Sequence, residues 1–304
     1  MNNHWFVIIN PTSGNRKYKK LIPKLLASLE SNQILFYHEF TTYQKHEFEL
    51  VKKAISNGYR KIISVGGDGT LHGIVNGIMS QTLVNSNEIK VAVFPTGTGN
   101  DWVNTYGITK NLIQNIKILK QEKTILQDIG KINLENDKST IYFNNLAGIG
   151  FDGHVVKYIN KYKKLGSISY LIGAFVGFFT YKPIDLNIML NQTEINTKSL
   201  MVLIGLCNYS GGGMQLTKKP NSTDGLLDIT IVEHINILTL LVNIIKLYNG
   251  EIINHKKVTT YKTNKITVKI TDNNTPYIQA DGELIKSSNF KIQLIPKAIQ
   301  FVIP

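Results

Sequence analysis

Short apolar runs alternating with amphipathic stretches dominate the first 125 or so residues. Phe6-Val7-Ile8-Ile9 has the texture of a buried strand and stops at Asn10-Pro11-Thr12-Ser13-Gly14. From Lys19 to Glu30, Leu21, Ile22, Leu25, Leu26 and Leu29 recur at i, i+3 and i+4, which predicts an amphipathic helix. Ile34 to Phe40 predicts a second strand with Thr41-Thr42 at its carboxyl end, and Phe48 to Asn57 a second helix closed by Gly58. Lys61–Val65 predicts a third strand, which runs into Gly66-Gly67-Asp68-Gly69-Thr70 and a helix from about Leu71 to Ser80. Val91–Phe94 predicts a fourth, which runs into Pro95-Thr96-Gly97-Thr98-Gly99-Asn100-Asp101. Strand–helix alternation of this kind implies an α/β domain built on a parallel sheet with helices on both faces. Ligands of such sheets sit outside the strand carboxyl ends, and each Gly-rich or Thr-rich turn falls at one.

After Asp128 the pattern changes to strand-like pieces separated by Asn-, Gly- and Asp-rich turns. These are Lys131–Leu134, Ser139–Asn144, Leu186–Leu190, Leu200–Cys207, Leu227–Val232, Lys265–Ile270, Tyr277–Ala280 and Lys291–Leu294. They predict a mostly antiparallel β-sandwich, interrupted by helical insertions at roughly 151–180 and 236–249. The expected domains are therefore 1–128, α/β, and 129–295, β-sandwich. The closing run Ala298–Ile303 is a further strand, and 296–304 is a candidate to complete the first domain.

The chain has 304 residues, enough for two cores, with 42% hydrophobic and 18% charged side chains, a globular balance. Lys and Arg outnumber Asp and Glu by 34 to 21, a net +13 that favours an anionic partner such as a nucleotide or an anionic membrane. No basic run interleaved with aromatics argues for nucleic acid. Cys207 is the only cysteine, so no intrachain disulfide forms, which suits a reducing, cytoplasmic setting. The N-terminus does not read as a signal peptide. No apolar run reaches bilayer length; the nearest, Ile168 to Phe179, is broken by Ser169, Gly173 and Gly177.

Chemistry concentrates in the Gly-rich turns. Glycine lets backbones approach closely, and successive amide N–H groups at the start of a helix make an anion cradle. Two such turns after neighbouring strands, each with an Asp, suit a polyphosphate and its metal. The run Asn10–Gly14, then Gly66–Thr70, then Pro95–Asp101 resembles, in order and spacing, the lipid kinases that include soluble bacterial diacylglycerol kinases and sphingosine kinases. Gly148-Ile149-Gly150-Phe151-Asp152, Asp224-Gly225-Leu226-Leu227-Asp228, Asp281-Gly282-Glu283 and Pro296…Pro304 extend the resemblance over essentially the whole chain.

That resemblance implies an NAD kinase-like first domain that binds ATP and Mg²⁺, a second domain that takes lipid, and transfer of phosphate to a free hydroxyl of diacylglycerol, a sphingoid base or a related lipid. It places ATP over Asn10, Pro11, Thr12, Ser13 and Gly14, over Thr42, and over Gly66, Gly67, Gly69, Thr70, Thr98, Gly99 and Asn100. Asp68, Asp101 and Asp128 then belong to a carboxylate–water–Mg²⁺ network. Glu283 is the candidate general base, because an alcohol's high pKa demands an acceptor for its proton; with Asp68 it makes the catalytic pair. Without the resemblance, Asp281-Gly282-Glu283 is an ordinary Asp-Gly hairpin. The resemblance also implies a structural Mg²⁺ held by the Asp224 carboxylate and the Asn221 and Leu226 carbonyls.

Three positions depart from the family pattern. Thr223 stands where a second acid is usual, Gly73 where a Glu is common, and Asn104 where an Arg is common; Arg16, Lys17 and Lys164 are candidates to replace that cation. Ile168, Leu171, Ile172, Phe175, Val176 and Phe179 form one broad apolar face, flanked by Lys157, Lys161, Lys163, Lys164 and Lys182. The face fits a core helix and an acyl-chain wall that contacts a membrane peripherally about equally well. His4, His38, His46, His154, His234 and His255 lack metal-ligand spacing. An NAD kinase and a catalytically silent nucleotide- or lipid-binding module remain the alternatives, and neither monomer nor homodimer is chosen.

Overall fold

A strand buried on both faces reads as a nearly unbroken apolar run, and the runs ending at Ile9, Val65 and Phe94 all become such strands. The computed structural model describes residues 2–14, 18–97, 99–162, 181–235, 239, 242–273, 275–286 and 288–304. It divides into two units, Met1–Asp128 with Pro296–Pro304, and Ile129–Ile295.

In the first unit β1 (Asn2–Ile9), β2 (Phe36–Phe40), β3 (Tyr59–Gly66) and β4 (Lys90–Pro95) are parallel, in the spatial order β2-β1-β3-β4. The end of β15 (Phe290–Val302) adds a fifth parallel strand, with Gln300 opposite Lys90 and Phe301 opposite Val91. Alternate residues of β1 serve opposite faces. Trp5, Val7 and Ile9 share a core with Ile22, Leu25 and Leu29 of α1 (Tyr18–Ser31) and Ile116 and Leu119 of α5 (Leu112–Gln121). Phe6 and Ile8 point the other way and are equally sealed. α2 (His46–Ser56) and α3 (Asp68–Ser80) pack on each other and on β3. The strand order reverses between β1 and β3, where the loops leaving the two carboxyl ends open a crevice in folds of this kind.

α3 starts three residues ahead of the expected Leu71. Gly67 is extended at φ −104°, ψ −168° and hands the chain directly from β3 into the helix. Asp68, Gly69 and Thr70 are therefore the first helical turn and not a preceding loop.

The second unit is antiparallel. β5 (Thr124–Leu134) pairs with β6 (Thr140–Phe143), and β7 (Leu146–Gly150) lies between β13 (Ile278–Ala280) and β9 (Thr193–Gly205). β9 also pairs with β8 (Ile184–Leu190) and β10 (Leu227–Glu233); β11 (Val258–Thr263) extends β10, and β12 (Lys265–Ile270) joins β8 to β15. β8 buries Ile184, Leu186, Ile188 and Leu190 and leaves the residues between them only partly buried. β14 (Glu283–Ile285) closes a hairpin with β13.

Three of these strands, β7, β11 and β14, have no counterpart among those expected from pattern. The helical insertion expected at 151–180 is helical over α6 (Phe151–Tyr162), and its remainder lies outside the described residues. In the one expected at 236–249, Thr239 and Val242 are helical among the described residues, and α7 (Ile244–Asn249) follows, ended by Gly250 at φ +79° ahead of a 3₁₀ turn at Glu251–Asn254. Among the described residues no helix is long and apolar enough to cross a membrane.

Candidate active site

Three loops meet over the sheet's reversal point. Asn10 leaves β1 with its N–H on the Val65 carbonyl of β3 (2.9 Å), and its Nδ2 donates to Thr70 Oγ1 in α3 (3.0 Å). Its Oδ1 accepts from Thr12 N (3.0 Å) and Thr12 Oγ1 (2.8 Å), a local turn of the kind Asn side chains favour. One amide thus shapes the first loop and ties it to the second. Ser13 Oγ accepts from Thr96 Oγ1 (3.0 Å), and Thr96 N donates to the Gly66 carbonyl (2.8 Å), so the third loop is bound to both others. Pro11 lies between these anchors, partly buried.

Close backbone approach is what the glycines supply. A Cβ on Gly97 would lie 2.6 Å from Gly67 Cα and 2.8 Å from Asn100 Oδ1. At Gly14, φ +78°, a Cβ would collide with the Thr96 carbonyl oxygen. No side chain caps the N-terminus of α3, and its first intrahelical donors, Thr70 N and Leu71 N, both reach back to Gly67 O (3.0 and 3.2 Å). The Asp68 and Gly69 amides precede them at the positive end of the helix. Gly69 is exposed, and Gly66 is buried beneath it. This is a cradle that fits phosphate oxygens.

Asp68 is half-buried, and Trp102 N points at its Oδ1 from 3.4 Å. Asp101 is buried at the start of α4 (Asp101–Thr105), after Gly99 and Asn100; Asn100 adopts φ +54° and donates from Nδ2 to Gly97 O (2.8 Å). Asp128 is fully buried, and its Oδ1 accepts from Lys297 N (2.7 Å), which holds that residue's left-handed backbone at φ +50°. The neighbouring Gln127 Oε1 accepts from Trp102 Nε1 (2.9 Å) and Tyr106 Oη (2.8 Å). Gln127, Trp102 and Tyr106 thus brace the segment that carries Asp101, a role with no local sequence signal.

Thr42 lies at the carboxyl end of β2, with its N and Oγ1 each 3.2 Å from His46 Nδ1, and Tyr43 stacks on that imidazole at 4.3 Å between centroids. A side chain at Gly73 would crowd buried Glu47, since a Cβ there would lie 3.0 Å from Glu47 Cβ, and Glu47 would have to shift to admit it. Thr98, Arg16, Lys17, Lys163, Lys164 and the apolar face from Ile168 to Phe179 lie outside the described residues.

In the second unit Asp281 (φ +50°) and Gly282 (φ +84°) form the two left-handed positions of a tight hairpin turn, with Ala280 opposite Glu283. The Asp281 carboxylate accepts three backbone N–H groups: Asn144 on Oδ2 (3.1 Å), and Asn145 (3.0 Å) and Leu146 (3.1 Å) on Oδ1. Gln279 donates to Asp152 Oδ2 (3.0 Å) and accepts from Gly282 N (2.9 Å). Asp152 is only half-buried as a residue, yet its Oδ1 is sealed from solvent without a partner. Burial pushes its carboxyl up to about 7 against the pull of Gln279 and nearby backbone N–H groups. Burial also raises the nearby Tyr181 phenol and lowers His154, the latter with help from Lys157. Lys157 Nζ bonds Tyr277 Oη (2.7 Å), and Lys182 is exposed.

In the loop from Asn221 to Leu226 both oxygens of the Asp224 carboxylate, the side-chain ligand expected for a divalent ion, are already engaged. Asn221 Oδ1 accepts from Thr223 N (3.1 Å) and Oγ1 (2.9 Å), and Asp224 Oδ1 accepts from Leu226 N (3.0 Å). Asp224 Oδ2 pairs with Lys262 Nζ at 3.0 Å.

Two family models match the chain. One, described as "Diacylglycerol kinase catalytic domain", covers residues 4–132, and the other, "YegS C-terminal NAD kinase beta sandwich-like domain", covers residues 145–303. The chain is 29% identical to "Putative lipid kinase YtlR" of Bacillus subtilis over 98% of its own length and 99% of that protein. It is 30% identical to a diacylglycerol kinase of Staphylococcus haemolyticus, over 86% of its length and 77% of that enzyme. A crystal structure named as a putative diacylglycerol kinase from Bacillus anthracis superposes with a TM-score of 0.80 at 22% identity, covering 99% of this chain and 95% of that one, a likeness of fold.

Proposed function

The chain belongs to the diacylglycerol kinase family of lipid kinases, and we propose that it transfers the γ-phosphoryl group of ATP to the free hydroxyl of diacylglycerol or a closely related lipid. The observation that carries this reading is the convergence of the loops after β1, β3 and β4, cross-linked through Asn10–Thr70 and Ser13–Thr96, on an uncapped helix start. Phosphoryl transfer asks a protein mainly for positioning and for donors aimed at the phosphate oxygens. The Asp68 and Gly69 amides and the Ser13 hydroxyl, which accepts from Thr96 and keeps its own proton, supply donors. Asp68 and Asp101, with Asp128 behind them, are the acids that would hold Mg²⁺, which when bound neutralises charge on the triphosphate.

In the transfer step the lipid hydroxyl oxygen forms a bond to the γ-phosphorus as the bond to the β–γ bridging oxygen breaks and ADP leaves. Glu283 takes the hydroxyl proton. Asp281 acts earlier, by fixing the hairpin that presents Glu283. The basic surface, net +13, suits contact with anionic headgroups.

The test is a phosphoryl-transfer assay with diacylglycerol, sphinganine and NAD as acceptors, for wild type and Glu283→Gln. Lipid phosphorylation by wild type, with Glu283→Gln reduced by about 10²–10⁴-fold and nucleotide binding unchanged, supports the reading. Turnover with NAD alone, or nucleotide binding with no transfer to any lipid, refutes it.

A further inference from the structure

Lys262 pairs with the one carboxylate that a loop metal would be expected to use. The β10–β11 ladder sets Lys262 directly opposite Asp228, so both side chains leave the sheet on the same face. From there Lys262 Nζ reaches Asp228 Oδ2 at 3.4 Å and, four residues upstream, Asp224 Oδ2 at 3.0 Å. Its ammonium bridges the loop carboxylate to the strand carboxylate, with Asp228 almost wholly buried and Lys262 itself 41% exposed. The remaining Asp224 oxygen accepts from Leu226 N, and the Asn221 carbonyl, an expected ligand, accepts from Asp224 N at 3.4 Å.

We propose that Lys262 is a tethered cation that closes the Asn221–Asp228 loop, so that this unit folds and works without a divalent ion in that loop. Mg²⁺ needs oxygens at about 2.0–2.1 Å in near-octahedral array, and an ammonium 3.0 Å from one Asp224 oxygen competes with it there by charge. An ammonium has three donors and no geometric demand beyond direction. The ladder positions it in advance, so closing the loop captures no ion from solution. Thr223, where a second acid is usual, fits the same exchange: a single positive charge needs fewer carboxylates than a divalent one. The enzyme's Mg²⁺ requirement then follows the nucleotide alone.

The experiment measures Mg²⁺ and Mn²⁺ binding to the nucleotide-free full chain by calorimetry, together with melting in Mg²⁺ and in EDTA. Wild type is expected to take up no ion at this loop and to melt at the same temperature in both. Lys262→Met should melt lower by about 2–4 °C in EDTA and recover in Mg²⁺, and adding Asp224→Asn should abolish the recovery. A wild-type Mg²⁺ response that Asp224→Asn removes overturns the proposal, as does a Lys262→Met protein indifferent to Mg²⁺. The wild-type titration stands even if Lys262→Met does not fold.

Discussion

Asp152 offers a test of the packing beneath the Asp281–Glu283 hairpin that is independent of any substrate. Its carboxyl holds a proton up to about pH 7 in the folded protein, chiefly because of burial, against an ordinary value of 3.8. The folded state therefore binds a proton that the unfolded chain has already released, and stability falls as pH rises between those two values. Stability is fullest below 3.8 and flat again above about 7. The gap corresponds to about 4 kcal/mol, of which about 3 kcal/mol is lost between about pH 5 and about pH 8. Asp152→Asn keeps the shape and an oxygen for Gln279 Nε2 but cannot ionise. Urea unfolding of wild type and variant at the two pH values cancels every other titrating group in the difference. The variant should gain on wild type by about 3 kcal/mol from the lower pH to the higher. A difference that does not change with pH would mean that Asp152 ionises freely, and the sealed environment argued for it would be wrong.

Other positions give sharp outcomes. Gly97→Ala should push the loops after β3 and β4 apart, since its Cβ falls 2.6 Å from Gly67 Cα; a cost of about 1–3 kcal/mol in thermal unfolding should accompany nucleotide binding weakened at least tenfold in calorimetry. Gln127→Leu leaves Trp102 Nε1 and Tyr106 Oη without their shared acceptor and should cost about 2 kcal/mol in urea unfolding, whereas a change under a few tenths would remove Gln127 from the bracing role. Burial pushes Glu122 up, but Lys61 (2.8 Å) and Lys90 (2.6 Å) outweigh it and hold the carboxyl below its usual range. The stability this supplies is present above the unfolded value of 4.5 and is lost as pH falls through the lower folded value. Glu122→Gln should thus cost about 1 kcal/mol near neutrality and almost nothing in strong acid.

The sequence makes the first unit's alternation plain because each buried strand is a compact apolar run and each glycine turn is contiguous. What joins those turns is not readable there. Asn10 meets Thr70 across 60 residues and Ser13 meets Thr96 across 83, and nothing local marks either pair. The start of α3 is misplaced by pattern because Gly66-Gly67 looks like a loop, whereas Gly67 serves as the cap itself. β7 escapes notice because two of its five residues are glycine, and only pairing with β9 and β13 makes it a strand. β14 has three residues and no periodicity to detect. Lys262 is one lysine among many, and its meaning emerges only once the β10–β11 register sets it beside two acids from another stretch of chain.

Asp281-Gly282-Glu283 shows how a structural and a chemical reading of one motif can both hold. As a hairpin it meets every local demand, with left-handed φ at both central residues and Ala280 opposite Glu283. Asp281 tolerates that conformation as few residues do, but its carboxylate is then committed to three backbone N–H groups at the β6–β7 junction. An acid spending its acceptors in this way is poorly suited to take a substrate proton. Glu283, the other acid of the motif, sits at the start of β14 on a backbone braced from two sides, by Asp281 and by Gln279 through the Gly282 amide. A general base must be held still while a proton moves over a fraction of an ångström, and geometry takes precedence over acidity in choosing it. The hairpin that would explain the motif without any chemistry is therefore the device that makes Glu283 the stronger of its two candidates for the base.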